Sequence, residues 1–198
     1  MSVLINVSHL CLQYQAFGLF KRNEAYTALN DVSFELTKGE TFGVIGRNGC
    51  GKSTLLQLLA GVIAPTSGSI ISPSKEKVTT ALLTLGLGFN RHLSGRDNAM
   101  LSAMLQGMSK NDAIAQLEEI KEFSELGDFF EKPVLTYSAG MRSKLGFATA
   151  ITTDVDLLLI DETLSVGDQA FKKKAEKVML DKVNSEQTVV FVSHSAEQ

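Results

Sequence analysis

Two cysteines in 198 residues, Cys11 and Cys50, are too few and too far apart in context to form a disulfide framework, so a reducing compartment fits. Basic residues are not in excess either, since 19 Lys and Arg against 22 Asp and Glu leave a net charge of −3. That balance argues against a large electrostatic footprint for nucleic acid or an acidic membrane and leaves room only for a local patch. No apolar run approaches the length of a membrane-spanning helix. Met1 to Leu10 lacks the charged start and long apolar core of a secretory signal. The chain is therefore expected to be soluble and cytoplasmic. Internal repeats and low-complexity tracts are also missing. With 44% hydrophobic residues, this length suits one cored domain with a smaller appended lobe.

What is present is concentrated in a few short strings. Gly46-Arg47-Asn48-Gly49-Cys50-Gly51-Lys52-Ser53, followed by Thr54, fits G-x-x-x-x-G-K-[ST], the loop that wraps the phosphates of a nucleoside triphosphate. Glycines let successive backbone N–H groups turn inward as an anion nest, and the following helix aims its positive end at the phosphates. Lys52 is expected to reach the β- and γ-phosphates, and the Ser53 hydroxyl to hold Mg²⁺. Four such fixed positions arise by chance in on the order of one chain in a hundred of this length, so the flanks decide. Thr41 to Ile45 reads as a buried strand ending at the loop. Lys52 to Ala60, with Leu55, Leu56, Leu58 and Leu59, reads as a buried helix. Strand, glycine loop and helix come in the required order. Cys50 sits inside the loop, close to a helix N-terminus. Alkylating it is expected to block nucleotide binding, with bound nucleotide protecting it; the alternative is a small residue that merely fills the loop.

A second half-site lies far downstream. Asp156-Leu157-Leu158-Leu159-Ile160-Asp161-Glu162 is an apolar strand ending in two adjacent carboxylates. Asp161 suits the hydrated shell of Mg²⁺, and Glu162 suits a general base that orients and deprotonates a water. Before the loop, Val32 to Leu36 alternates apolar and polar residues and Thr37 to Glu40 supplies a turn, which predicts an antiparallel β layer. Between the half-sites the pattern becomes helical. Met100, Leu101, Met104, Leu105 and Met108 form one stripe, expected to be core. Ser109 to Asp112 opens a second helix with Ala113, Leu117 and Ile120 on one face. Lys172, Lys173 and Lys174 are expected on the wet side of a helix whose apolar face is Phe171, Ala175 and Val178. His9 and His92 fit no motif and are expected to be structural or solvated.

Leu135 to Gly146 contains Tyr137-Ser138-Ala139-Gly140-Met141, which resembles the L-S-G-G-Q signature of ATP-binding-cassette ATPases. Its place after the phosphate loop and before the carboxylate strand is that family's order, and the resemblance covers the whole chain. It implies an α/β fold: a P-loop NTPase core with an antiparallel β layer and an inserted helical lobe. The single domain spans 1–198, with core and β layer at about 1–90 and 150–198 and the helical subdomain at about 91–149. By the same resemblance, Ser138 and the backbone of Gly140 contact the γ-phosphate bound to the other subunit of a head-to-tail dimer. Leu164 to Asp168 sits where the family has its dimer-contact loop. His194, at the end of Val189 to Ser193, matches the switch histidine that bonds the γ-phosphate. Gly46 to Thr54 then bind ATP, Ser53 and Asp161 hold Mg²⁺, and Glu162, His194 and Lys52 serve hydrolysis.

Three strings resemble a narrower group, the ATPase subunits of bacterial O-antigen, capsule and teichoic-acid exporters. They are Gly86 to Phe89 with Leu93 to Asn98, Tyr137 to Ala148, and Asp161 to Asp168. The stretch Ala16 to Asn23 resembles an insertion of this group and is expected to face the membrane partner or the lipid-linked glycan. The implied partners are a second copy and polytopic membrane permease subunits, which would place the chain on the inner face of the plasma membrane. No nucleic acid is expected. The rivals are a soluble cassette ATPase acting on nucleic acid or the ribosome, whose tandem cassettes, coiled-coil insertions or basic extensions are absent from the sequence; a cassette ATPase for another transported substrate; and an unrelated nucleotide-dependent switch or kinase, which would leave Ser138 to Gly140 and His194 without a role. Departures from the family pattern are Ala139 for a glycine, Met141 for a glutamine, and no glutamine near Thr84 and Leu85. The adenine-stacking aromatic is Tyr14 or Tyr26, with Tyr14 preferred. The chain stops four residues after His194, which predicts a tail missing here.

Overall fold

A computed structural model describes residues 2–15, 25–74, 78–83, 88–161 and 167–193. The expectations placed on Ala16 to Asn23, Thr84 to Leu87, Glu162 to Val166 and His194 lie outside the described residues.

Two sheets form. Strand β1 (Val3–Gln15) lies between β2 (Ala25–Thr37) and β4 (Ser67–Ile71) in an antiparallel layer of order β2-β1-β4. Strands β3 (Thr41–Ile45), β5 (Thr80–Leu83), β6 (Leu157–Asp161) and β7 (Thr188–Ser193) form a parallel sheet of order β3-β7-β6-β5. The strand that leads into the glycine loop and the strand that ends in Asp161 thus flank a common neighbour, β7. Their C-terminal ends open on one side of the sheet.

The central strands β6 and β7 are apolar on both faces because both faces are covered. Leu157 and Leu159 of β6, with Val190 and Val192 of β7, point into a cluster shared with the antiparallel layer and helix α1 (Lys52–Leu59). Leu158, Ile160 and Val189 point the opposite way, against α4 (Ala139–Thr152) and α5 (Gln169–Val183). The period of two in a strand produces this division directly. Gly43 faces Phe191 across the β3–β7 register, and a Cβ there would come within 2.8 Å of the Phe191 ring. The missing side chain is what lets the aromatic ring cover β3.

Helices α2 (Gly95–Leu105) and α3 (Lys110–Ser124) pack with α4 around Leu117, Ile120, Phe130, Val134, Tyr137 and Leu145. The Ser109 hydroxyl accepts the Asp112 N–H, which starts α3 where the sequence placed it, and Ala113, Leu117 and Ile120 are buried. The methionine stripe of α2 is corrected: Leu101, Met104 and Leu105 are exposed, Leu105 to 88%, while the buried residues include Ala99 and Ala103. Small side chains let α2 approach its neighbours closely, so its contact face follows size rather than hydrophobicity. The lysine run of α5 is corrected in part. Phe171 and Ala175 are buried, but the Lys174 ammonium donates to the Phe123 carbonyl at 3.0 Å and lies over the Phe123 ring. His9 stands at the surface with its Nδ1 2.7 Å from Asp31 Oδ1.

Candidate nucleotide site

The glycine loop hangs between β3 and α1 and is tied to the sheet by the Gly46 N–H, which donates to the Ser193 carbonyl at 3.2 Å. Two glycines carry backbone that a side chain would forbid. Gly49 has φ +82°, and Gly51, the N-cap of α1, has φ +94°. At Gly51 the constraint is doubled, because a Cβ would lie 2.4 Å from the Ala28 carbonyl oxygen of β2. The turn therefore presses directly on the antiparallel layer, and α1 starts with no side-chain cap and no acidic residue in its first turn. Its first N–H groups point free of the helix, with the positive end of the helix dipole behind them.

Lys52 supplies a full positive charge over this nest: its ammonium donates to the carbonyls of Gly46 at 2.6 Å and Arg47 at 3.0 Å. Cys50 is exposed, and its Sγ would meet a Cβ on Gly46 at 2.7 Å, so the thiol packs over a third glycine of the loop. Asn48, Gly49, Lys52, Ser53 and Thr54 line a cavity of ≈ 230 Å³ together with Asp161 from the end of β6. The parallel register brings Asp161 to this point although it lies more than a hundred residues from the loop. A hydroxyl and a carboxylate, both hard oxygen donors, thus share one opening with an ammonium. That set fits Mg²⁺ that retains waters and phosphate oxygens, and does not by itself cage a cation.

The tyrosine at this cavity is Tyr26. Its hydroxyl donates to the Gly49 carbonyl at 2.8 Å and its ring joins the lining. Tyr14, the residue preferred from the sequence, pairs with Tyr26 across β1 and β2 and is not among the residues that line this cavity.

Ser138 and Gly140 do not line the cavity. They start α4, where the Ser138 hydroxyl accepts the Met141 N–H at 3.1 Å, and no acidic residue occupies the first turn. This turn is held from behind by Tyr137, whose buried hydroxyl donates to the Phe129 carbonyl at 2.6 Å. Burial, with the Glu131 charge adding to it, pushes the Tyr137 pKa up to about 12. Gly95 makes room for that ring, since a Cβ there would collide with the Tyr137 hydroxyl. Arg142 reaches back to the Tyr137 carbonyl at 2.7 Å.

Residues 29–165 match the family model described as ABC transporter. The chain belongs to that family. This cassette is 40% identical to the O-antigen export system ATP-binding protein RfbB of Klebsiella pneumoniae, over 98% of the chain and 85% of the relative. It is 38% identical to the teichoic acids export ATP-binding protein TagH of Listeria monocytogenes, over 100% of the chain and 61% of the relative. It is 45% identical to an RfbB of Myxococcus xanthus, over 85% of the chain but 38% of the relative. The cassette therefore spans less than two thirds of two of these relatives, 61% and 38%. In fold it is similar to the ATP-binding cassette MJ0796, solved as a dimer in a post-hydrolysis state with ADP and Pi. The TM-score is 0.75 at 21% identity, over 97% of this chain and 88% of that one.

Sequence reasoning missed two residues that hold local structure around α2 and α4. Asn98 is one: it is buried, and its amide donates to the carbonyls of Asn90, Leu93 and Ser94, which fixes the segment leading into α2. Lys144 is another, bonded to Asp168 and Glu125. An N-cap pattern at Asp168, followed by Phe171 three residues on, was the available signal for that end of the contact.

Proposed function

We propose that this chain binds and hydrolyses ATP and so powers export of a polysaccharide or lipid-linked glycan across the bacterial inner membrane. One observation carries the ATP chemistry: Lys52, Ser53 and Asp161 line a single cavity at the bare N-terminus of α1. The names of the relatives, O-antigen and teichoic acids export ATP-binding proteins, support the transported class.

The steps follow from the residues. The nest and Lys52 bind the triphosphate, and Tyr26 offers its ring to the adenine. When bound through Ser53 and Asp161, Mg²⁺ supplies charge neutralisation at the β- and γ-phosphates. Glu162 takes a proton from a water in line with the γ-phosphate, and His194 bonds that phosphate. Ser138 and the Gly140 backbone contact the ATP held by a second copy, so ATP favours the closed dimer and hydrolysis removes that preference. Membrane permease subunits convert closing and opening into transport, which puts the chain on the inner face of the membrane.

Phosphate release and size-exclusion chromatography of the full chain with ATP test the reading. Lys52→Ala should lose nucleotide binding. Glu162→Gln should bind ATP, turn over on the order of a hundredfold more slowly and accumulate as a dimer. Normal turnover in Glu162→Gln would remove Glu162 as the base. For the transported class, cells carrying Lys52→Ala should lose surface glycan and retain its lipid-linked precursor inside.

A further inference from the structure

We infer that Lys144 is a positioning residue that locks the signature turn of α4 to Gly167 and Asp168 at the start of α5 within the same chain. The inference rests on the ATPase reading above and deepens it.

Lys144 lies six residues beyond Ser138 on α4, and its stem crosses directly over Gly167. A Cβ on Gly167 would stand 2.9 Å from Lys144 Cε and 3.1 Å from Cγ, and Gly167 has φ +60°. Both the conformation and the missing side chain are needed for the lysine to pass. Beyond the glycine, the ammonium reaches Asp168 Oδ2 at 2.7 Å and Glu125 Oε2 at 3.3 Å, and it lies 5.0 Å from the Phe171 ring centroid. The lysine side chain is only 15% exposed.

Each carboxylate is fully committed. Asp168 Oδ1 accepts the Phe171 N–H at 3.0 Å and caps α5, while Oδ2 takes Lys144. Glu125 Oε1 takes Lys174 from α5 at 3.1 Å, while Oε2 takes Lys144. Lys144 and the Phe171 N–H hold the Asp168 carboxyl at about 2, so the pair is ionised across neutral pH. Burial opposes the Lys144 charge, but Asp168 and Glu125 outweigh it and raise its pKa above the ordinary lysine value. At the signature turn itself, a Cβ on Gly140 would lie 3.9 Å from Gly167 Cα, so turn and Gly167 abut without a side chain between them.

The consequence is a fixed spacing between two working parts. In the proposed dimer, Ser138 and Gly140 act on ATP held by the partner, while Asp168 follows the chain's own proposed base, Glu162, by six residues in sequence. Lys144 holds Ser138 and Gly140 in register with Asp168, so its loss should disturb turnover at both nucleotide sites. An ion pair with half-exposed carboxylates contributes little to folding. A large effect on turnover with little effect on stability is therefore diagnostic.

The test uses the full chain as Lys144→Met, which keeps the apolar stem, Lys144→Arg, and Asp168→Asn, which retains a capping side chain. Lys144→Met should lower kcat on the order of tenfold and bring the Hill coefficient for ATP toward unity. Nucleotide affinity should stay within about twofold, and Lys144→Arg should restore most of kcat. Asp168→Asn should match Lys144→Met, with no further loss in the double variant. If Lys144→Met fails to fold, Asp168→Asn against Lys144→Arg decides the matter by the same readouts. Wild-type kcat in Lys144→Met, additive losses in the double variant, or equal losses in affinity and kcat would overturn the inference alone. ATP turnover that survives Lys52→Ala would overturn the ATPase reading and the inference with it.

Discussion

Helices α1 to α4 begin in two different ways. At α2 and α3 a serine N-cap is followed by an aspartate three residues on. Ser94 bonds Asp97, and Ser109 bonds Asp112, so each positive helix end is met by a carboxylate of the chain. At α1 and α4 the first turn holds no acid, and α1 has no side-chain cap at all. An aspartate at an N-terminus stabilises a helix by about 0.3–1 kcal/mol, so α1 and α4 forgo a stabilisation that their neighbours take. These two are also the helices proposed to face phosphate, one in its own site and one in the partner's.

The largest effect is expected at Gly51. Replacing it with alanine forces a side chain into left-handed backbone and against the Ala28 carbonyl. The Gly51→Ala chain should lose about 3 kcal/mol of stability and all measurable ATP binding, read by urea unfolding and nucleotide titration. Supplying the missing acid to α4 is the sharper test. Ala139 is exposed at the first position of that helix, and Ala139→Asp should stabilise the chain by about 0.5 kcal/mol. The same carboxylate should weaken ATP-dependent dimerisation on the order of tenfold or more through like-charge repulsion of the phosphate. Equal dimerisation by light scattering would mean that the bare end of α4 faces no anion.

Tyr137 supports that bare end from inside, and its titration gives a smaller effect. Its pKa is raised to about 12 in the folded chain against an ordinary value of about 10. The neutral hydroxyl is the form that folding favours. Its contribution is therefore present in full below pH 10 and disappears as pH rises from about 10 to about 12. Tyr137→Phe should cost about 1–2 kcal/mol at neutral pH by leaving the Phe129 carbonyl without its donor, and should flatten that alkaline loss in chemical denaturation. Asp97→Asn, at a capped end, should cost only about 0.5 kcal/mol and leave ATP turnover unchanged.

The difference between the two kinds of helix start also separates what could be read in the sequence from what could not. The capped start of α3 was legible at Ser109 because a local bond encodes it. The glycine loop was legible because Gly51 and Lys52 are required by backbone geometry and charge. Strands β3, β6 and β7 were legible as short apolar runs, since a parallel sheet buries both faces. Hydrophobic spacing failed at α2, where Ala99 and Ala103 are buried and Leu105 is exposed, because the pattern records polarity and not the room between helices. It gave no sign of Lys144 either, whose partners Glu125 and Asp168 stand at the end of α3 and the start of α5. Those are meetings of distant segments, and no local string carries them.

Helix α4 belongs to two hydrophobic clusters at once. Leu145 and Ala148 pack with the helical lobe, whereas Phe147, Ala150 and Ile151 pack against the parallel sheet. Recombination between related cassettes at residue 149 would therefore sever one helix between two cores and mismatch both. A lobe exchanged as an intact piece must carry all of α4 and the buried Thr153 that bonds back to it, so the crossover that a chimera can survive falls beyond that residue. The unit that evolution or a protein engineer can transplant is thus longer than the insertion visible in the sequence.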